Sequence, residues 1–320
     1  MGASGAGRPR IVCVACWNVD LTTTVTRLPA AGETVLGRSF TTGPGGKGAN
    51  VAVGAARLGA HVEIIARLGD DDFGRRALPF WRDEGIGCAQ VQVAPGEPNA
   101  VATILVAADG ENSIAVFPGA GFRLGGDQVR AARTVFETAA IVAMPLEIQD
   151  EAVGAALELA RACGARTVLN PAPARTLPRA WLGLVDVLTP NRLEARQLCG
   201  LPSDDASTPA ELGRRLLDLG VGAVVMTCGG DGAWVFERGQ APLPIPVFAV
   251  QPVDTVGAGD AFNAGLCVAL AEGRTLAQAA RWASATAALA TTRHGAALAM
   301  PVRSEVQTLI DESSKRAQRE

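Results

Sequence analysis

The sequence predicts an α/β protein: a doubly wound, mainly parallel sheet flanked by helices, with a small β-sheet lid. Three observations carry this. Short apolar runs of strand length alternate along the chain with longer stretches of helical spacing. That alternation, with buried strands, is the signature of a parallel sheet covered on both faces. Two early segments, 18–42 and 99–117, interrupt it with β-branched residues and turn signals, which points to a second, smaller sheet.

The elements follow in order. The run "IVCVAC" (11–16) reads as the first buried strand. Helical spacing in "ANVAVGAARLG" (49–59) ends on a glycine and leads into the strand "VEIIARL" (62–68). Later strands are "AAIVAM" (139–144), "ARTVLN" (165–170), "LVDVLT" (184–189) and "GAVVMTC" (222–228). Between them lie the helical stretches "DEAVGAALELARACG" (150–164), "RLEARQLCG" (192–200) and "PAELGRRLLDLG" (209–220). In such folds ligands bind at the carboxyl ends of the strands, near the point where strand order reverses. The two β-rich segments read as hairpins or short antiparallel strands, with turns at Ala31-Gly32 and over 109–112. Nothing divides the remainder. Residues 11–320 are expected to form one domain after a disordered tail over 1–10.

Composition excludes several function classes. Lys and Arg number 29 against 32 Asp and Glu, a net charge of −3, so there is no basic footprint for nucleic acid or an anionic membrane. The start "MGASGAGRPR" is too polar for a signal peptide and no apolar run reaches the length of a membrane span. A soluble, cytoplasmic protein is expected. Seven dispersed cysteines do not suggest a disulfide framework. Cys13 and Cys16 form C-x-x-C, but residues three apart on a strand face opposite ways, which suits neither a redox pair nor a metal site. Two histidines, His61 and His294, leave little material for a His-based metal site or a Ser-His-Asp triad.

Two glycine-rich stretches carry the chemistry. "GPGGKGAN" (43–50) contains G-x-G-x-x-G and a Gly-Lys pair. A dinucleotide fingerprint needs its glycines directly after the first core strand, which ends about thirty residues earlier. A Walker A loop needs Ser or Thr after its Lys, and Gly48 follows Lys47. What remains is a glycine-rich turn opening a helix. It is either a simple cap or a place where bare backbone meets a ligand. In "VDTVGAGDAFNAGL" (253–266), Gly257, Ala258 and Gly259 precede a helical pattern. Free amides at a helix start, with the macrodipole, form an anion site. Asp260 sits in that first turn. An Asp there can simply complement the dipole. Beside an amide cradle it can also accept the proton of an alcohol while the amides stabilise a moving phosphoryl group. An ordinary Asp pKa near 4 would leave it ionised at neutral pH.

With these residues in view, "GGKGANVAVGAARLGA" and "DTVGAGDAFNAGL" resemble the two signature motifs of the ribokinase-like sugar kinase family, and the likeness runs from "NVD" to "RHGAALAMP". "NPAPA" (170–174) and "TPNRLEA" (189–195) strengthen it. The resemblance implies ATP-dependent phosphorylation of D-ribose to D-ribose 5-phosphate, with Asp260 as general base and the turn from Gly257 to Asp260 as anion hole. It assigns the sugar to Asn18, Asp20, Gly46, Lys47, Asn50 and Glu147. Asn18 and Asp20 are two apart, so in an extended chain they face the same way. It assigns ATP to Asn191, Glu194, Thr227, Gly229, Gly232, Gly259 and Ser284, with Mg²⁺ hydrated near Asn191 and Glu194. The spacing of Asn191 and Glu194 also fits a plain capping box, and "TCGGDG" (227–232) a plain hairpin turn. A monovalent cation, K⁺, is implied at Asp254, Val256, Ala290, Arg293, Gly295 and Ala299, mostly through backbone carbonyls. Three positions depart from the family pattern. Ala299 replaces a Ser, Ser284 replaces a larger polar residue beside the adenine, and Ala15-Cys16 replace Gly-Ser before the Asn-x-Asp pair.

Competing readings are a kinase of another pentose or of a nucleoside, and a non-catalytic sugar-binding regulator. Few aromatics in the lid segments (Trp17, Phe40, Phe117) disfavour a nucleoside. Asp260 beside the glycine turn disfavours a pure binder, which needs no base. A β lid leaves an exposed face on a monomer, so a homodimer through the lid is expected, with Val101 and Ile104 at its interface.

Overall fold

A computed structural model describes residues 7–317. Its strands are β1 (Arg10–Ala15), β2 (Asn18–Thr24), β3 (Ser39–Gly45), β4 (His61–Gly69), β5 (Gly87–Ala94), β6 (Ala100–Val106), β7 (Asn112–Phe117), β8 (Ile141–Pro145), β9 (Arg166–Asn170), β10 (Val187–Leu188), β11 (Ala223–Thr227), β12 (Ala233–Glu237) and β13 (Leu243–Ile245). Nine of them form one sheet in the order β13-β12-β11-β10-β9-β8-β1-β4-β5. Its neighbours pair in parallel from β5 through β11; β12 and β13 close one edge antiparallel. The strand order reverses between β1 and β8. This is the expected doubly wound fold.

Alternation along β1 shows how the sheet is covered. Ile11, Cys13 and Ala15 enter one core layer, with the helices Lys47–Arg57, Ala258–Ala271 and Leu276–Ala290. Val12, Val14 and Cys16 enter the other, with the helices Asp150–Cys163 and Pro209–Asp218. Cys13 and Cys16 thus lie on opposite sides of the sheet, both buried and free. Burial pushes the Cys13 thiol up to about 12, which keeps it inert.

The second sheet has the order β3-β2-β6-β7. The antiparallel pairs expected within each segment are present, β2 with β3 and β6 with β7, and the structure adds three features. First, β2 and β6 pair in parallel, which joins the two antiparallel pieces side by side in one sheet. Second, the expected turn at Ala31-Gly32 is present, with Glu33 N donating to Ala30 O at 3.0 Å, but it sits in a long excursion between the end of β2 at Thr24 and the start of β3 at Ser39. Third, β3 runs on to Gly45, so the first half of "GPGGKGAN" is strand rather than turn. Registers set the faces. Asn18, Asp20 and Thr22 lie beside Ala100, Ala102 and Ile104, which in turn oppose Ile114 and Val116 on β7. Ile104 is buried, contrary to its expected place at an interface; Phe40, Ile114, Val116 and Phe117 are the exposed large apolar side chains of this sheet.

Strand β1 starts at Arg10, inside the expected tail, and His61 N donates to Pro9 O at 2.9 Å. Residues 1–6 lie outside the described residues. Among the described residues no helix is long and apolar enough to cross a membrane.

Candidate active site

The sugar-side residues are assembled by a short connection. Asn18 and Asp20 point the same way from β2, and Asn18 Nδ2 donates to Asp20 Oδ1 at 2.6 Å. Strand β3 returns beside them, with Gly45 opposite Asn18. Gly46 then turns the chain into the helix Lys47–Arg57 at φ 98°, and a Cβ there would stand 2.3 Å from Cys16 O. Only glycine fits both constraints. The first amide of the new helix, Lys47 N, donates to Glu147 Oε2 at 2.7 Å. Glu147 lies two residues beyond β8, at the carboxyl edge of the sheet and beside the reversal of strand order.

Asp260 reaches the same place from another helix. Gly257 caps the helix Ala258–Ala271 at φ 75°, and Asp260 lies in its first turn, 7% exposed. Gly54 lets the Lys47 helix press against this one: a Cβ at Gly54 would lie 2.6 Å from Ala264 Cβ. One turn earlier on each helix, Asn50 meets Asp260, and Asn50 Nδ2 donates to Asp260 Oδ2 at 2.7 Å. Asn50 Oδ1 is buried without a hydrogen-bond partner. Such an atom is costly unless a donor arrives. Asn263, one turn after Gly259, donates Nδ2 to Gly259 O at 2.8 Å and accepts from Thr189 Oγ1 at 2.6 Å, which ties the first turn to the central sheet.

Electrostatics follow from this crowding. Burial, helped by the charge of Asp260, pushes Asp20 up to about 6. Burial pushes Glu147 up to about 7, although Lys47 opposes it. Asp260 is also raised by burial, against Lys47 and the Asn50 hydrogen bond. That departs from the ordinary value expected of it. Lys47 is raised, chiefly by Asp260, and stays charged. Three largely buried carboxylates around one ammonium can accept hydrogen bonds from hydroxyl groups and take up a proton.

A second region adjoins it. A cleft of about 550 Å³ is lined by Thr227, Gly229, Gly232, Gly259 and Ser284, five of the residues assigned to ATP. A Cβ at Gly259 would meet nothing within 4 Å, so its bareness serves open space rather than packing. No motif in the sequence marks its apolar walls. They come from Val247, Phe248 and Val250 after β13, from Phe262, and from Ala287 and Ala288. The two alanines lie three and four residues after Ser284 on one helix face, a spacing that could have revealed them. Asn191 and Glu194 stand apart from this lining and do form a capping box: Asn191 Oδ1 accepts Glu194 N at 2.9 Å, and Asn191 N donates to Glu194 Oε2 at 2.8 Å. Burial raises Glu194, which also feels the charges of Lys47 and Asp260.

The residues expected around a cation form a third group, next to the glycine turn. Asp254 Oδ1 accepts Val256 N and Oδ2 accepts Gly295 N, each at 2.9 Å. The carboxylate thereby joins the loop before Gly257 to the loop after the helix Leu276–Ala290. The Ala290 carbonyl accepts Arg293 N at 3.2 Å, Arg293 pairs with Glu305, and Ala299 is buried.

Comparison with known proteins places the chain in a family. The pfkB family carbohydrate kinase model matches residues 8–303. The ribokinase of Bacillus subtilis is 38% identical over 303 residues, covering 94% of this chain and 99% of that protein. The deoxyribokinase of Salmonella typhi is 36% identical over 245 residues, covering 76% and 80%. The structure of Arabidopsis thaliana ribokinase complexed with ribose and ATP superposes with a TM-score of 0.84 at 30% identity, covering 95% of this chain and 99% of that one. The chain therefore belongs to the pfkB family of carbohydrate kinases and is a sugar kinase with the ribokinase-like fold.

Proposed function

We propose that this kinase transfers the γ-phosphoryl group of ATP to the 5-hydroxyl of D-ribose, giving D-ribose 5-phosphate. The observation that carries the reading is the Asn50–Asp260 contact. It joins the carboxylate in the first turn of the glycine-capped helix to the group that gathers Asn18, Asp20, Lys47 and Glu147. Asp260 accepts the hydroxyl proton as the oxygen attacks phosphorus, and the amides of the turn from Gly257 to Asp260 stabilise the charge on the transferring group. A base whose pKa is raised toward neutrality is better matched to that step than an ordinary carboxylate. The orphaned Asn50 Oδ1 and the raised Asp20 and Glu147 gain donors when sugar hydroxyls arrive. The cleft beside Thr227, Gly229, Gly232 and Ser284 takes the nucleotide. ATP as donor also suits a cytoplasmic protein with seven free cysteines.

Two ions fit the residues present. Mg²⁺ usually keeps several waters and leans on one or two carboxylates plus phosphates. Glu194, held by Asn191, would serve as that carboxylate. Asp254 is 23% exposed, and its one ion-pairing neighbour among the described residues is His294 Nδ1 at 3.9 Å. A monovalent cation held by Asp254 and the carbonyls of Val256, Ala290, Arg293, Gly295 and Ala299 would supply the missing positive charge behind the anion hole. Activity in K⁺ above that in a large organic cation, with Mg²⁺ fixed, is the expected result. Equal activity removes the site.

The small sheet supports a homodimer. Ile114 and Val116 continue the face of Asn18 and Asp20 beyond the site, and both are exposed. A second copy would cover them and close the sugar end from water. Val116→Lys should yield monomers by light scattering; an unchanged dimer places the interface elsewhere.

The relationship to deoxyribokinase favours one second reading, a 2-deoxy-D-ribose substrate. A coupled assay over D-ribose, 2-deoxy-D-ribose, D-fructose and adenosine decides it. D-Ribose should give the highest kcat/KM, because a site built for a hydroxyl rejects the analogue that lacks it. A higher value for 2-deoxy-D-ribose overturns the ribose assignment and leaves the kinase assignment standing.

A further inference from the structure

The segment "NPAPA" (170–174) leaves β9 at the carboxyl edge of the sheet. In the fold it leads to Arg175, whose guanidinium reaches back across the carboxyl edge of the sheet. Arg175 Nη1 donates to Leu146 O, Nη2 donates to Ile148 O at 2.8 Å, and Nε donates to Asp150 Oδ1 at 2.7 Å. The two carbonyls belong to the residues on either side of Glu147. Leu146 N in turn donates to Ala172 O at 3.0 Å, so the two loops are stitched together twice. The side chains of Leu146 and Ile148 are sunk in the core. Glu147 alone of the three turns to the sugar side, where its Oε2 accepts Lys47 N.

We propose that Arg175 is a positioning residue for sugar recognition, acting through Glu147 by clamping the peptide groups that flank it. The inference rests on the reading of Glu147 as a sugar contact. Its physical basis is the planar fork of arginine. One guanidinium can hold two carbonyls and a carboxylate in fixed directions, which a lysine ammonium cannot reproduce. Without the fork the loop between β8 and the helix Asp150–Cys163 keeps its apolar anchors but loses the restraint on the backbone that aims the Glu147 carboxylate. Loss of aim costs affinity for the hydroxyls that carboxylate would accept, and leaves the nucleotide cleft untouched.

The test is steady-state kinetics on Arg175→Ala, Arg175→Lys, Glu147→Ala and the Arg175→Ala/Glu147→Ala double variant of the full chain. Arg175→Ala should raise KM for D-ribose about tenfold or more, as expected for losing hydrogen bonds from a charged group. KM for ATP should stay within about twofold, which also reports an intact fold. Arg175→Lys should recover only part of the loss. In the Glu147→Ala background, Arg175→Ala should add little, because its effect runs through the residue already removed. If Arg175→Ala fails to fold, Arg175→Lys carries the same comparison. An unchanged KM for D-ribose in both Arg175 variants, or a loss that persists in full on the Glu147→Ala background, overturns the proposal. A Glu147→Ala variant with unchanged KM for D-ribose overturns instead the sugar-contact reading beneath it.

Discussion

The regions proposed for sugar and for nucleotide meet at one helix start, yet they are built from opposite materials. The sugar side is a knot of side chains: Asn18 on Asp20, Glu147 on the amide of Lys47, Asn50 on Asp260. Its carboxylates are buried and raised before any ligand arrives. The cleft has few polar side chains in its wall and much bare backbone, with glycines at 229, 230, 232 and 259. On the proposed reading, one region discriminates by leaving buried polar atoms in need of partners. The other accepts by shape and apolar surface, where small substitutions change little. Substitutions on the sugar side should therefore alter rate and sugar KM steeply, and those in the cleft should alter KM for ATP mildly.

The steepest effect is expected where the two regions meet. Asp260→Asn keeps the size of the side chain and removes its basicity. Loss of a positioned base costs about 10²–10⁴ in rate. Ribose binding, measured calorimetrically, should survive. A variant with near-native kcat removes Asp260 from the proton transfer.

Next comes the packing that makes the junction. Gly54→Leu puts a side chain where even a Cβ already lies 2.6 Å from Ala264 Cβ. The helices must part, and overpacking of this kind costs about 1–3 kcal/mol of stability. Asn50 would then lose its reach to Asp260, and kcat/KM should fall roughly ten- to a hundredfold. Lower stability with unchanged kcat/KM would show that the junction tolerates separation.

The raised carboxylates set a pH dependence with a definite sign. Glu147 moves from an ordinary 4.5 to about 7, and Asp20 from 3.8 to about 6. Between the ordinary and raised values the folded protein holds its protons more tightly than the unfolded chain. Their contribution to stability is therefore complete below the ordinary values and lost as pH rises through about 6 and about 7. The ligand-free Tm should fall from pH 5 to 8, and stabilisation by ribose should grow over the same range. At one unit below its pKa a carboxylate is only about one-tenth ionised, so KM for ribose should fall roughly tenfold between pH 6 and 8. Glu147→Gln should flatten that profile. A profile that keeps its slope in Glu147→Gln assigns the titration to another group, with Asp20, raised to about 6, next in line.

The same contrast explains what the sequence revealed. Side-chain chemistry at fixed local spacing was readable. Asn18 and Asp20 share a face because they are two apart on a strand, and Asp260 falls in the first turn because glycines precede a helical pattern. The alternation of strands and helices likewise follows from local periodicity. What local spacing could not carry was meeting at a distance. The parallel pairing of β2 with β6 joins two segments whose own patterns speak only for the antiparallel pair that each forms within itself. The Asn50–Asp260 bond links residues 210 apart. The cleft walls come from loops and small residues with no chemistry of their own, and the reach of Arg175 depends on two loops converging at one sheet edge. The raised pKa of Asp260 was hidden for the same reason, since burial is a property of the packed molecule.

The mildest effect is expected at Ser284, the departure from family pattern that lines the cleft. Its hydroxyl donates to Pro246 O at 3.4 Å, long for such a bond, and the side chain is nearly buried. Ala287 and Ala288 flank the same part of the wall, so removing one oxygen leaves the shape of the cleft in place. Ser284→Ala should change KM for ATP no more than about twofold, the size of a substitution that breaks no strong contact. Sugar KM and kcat should not move. If KM for ATP instead rises tenfold, the hydroxyl bonds the nucleotide directly. The cleft would then discriminate through a side chain, as the proposed sugar side does, and the division between the two regions would fail at that position.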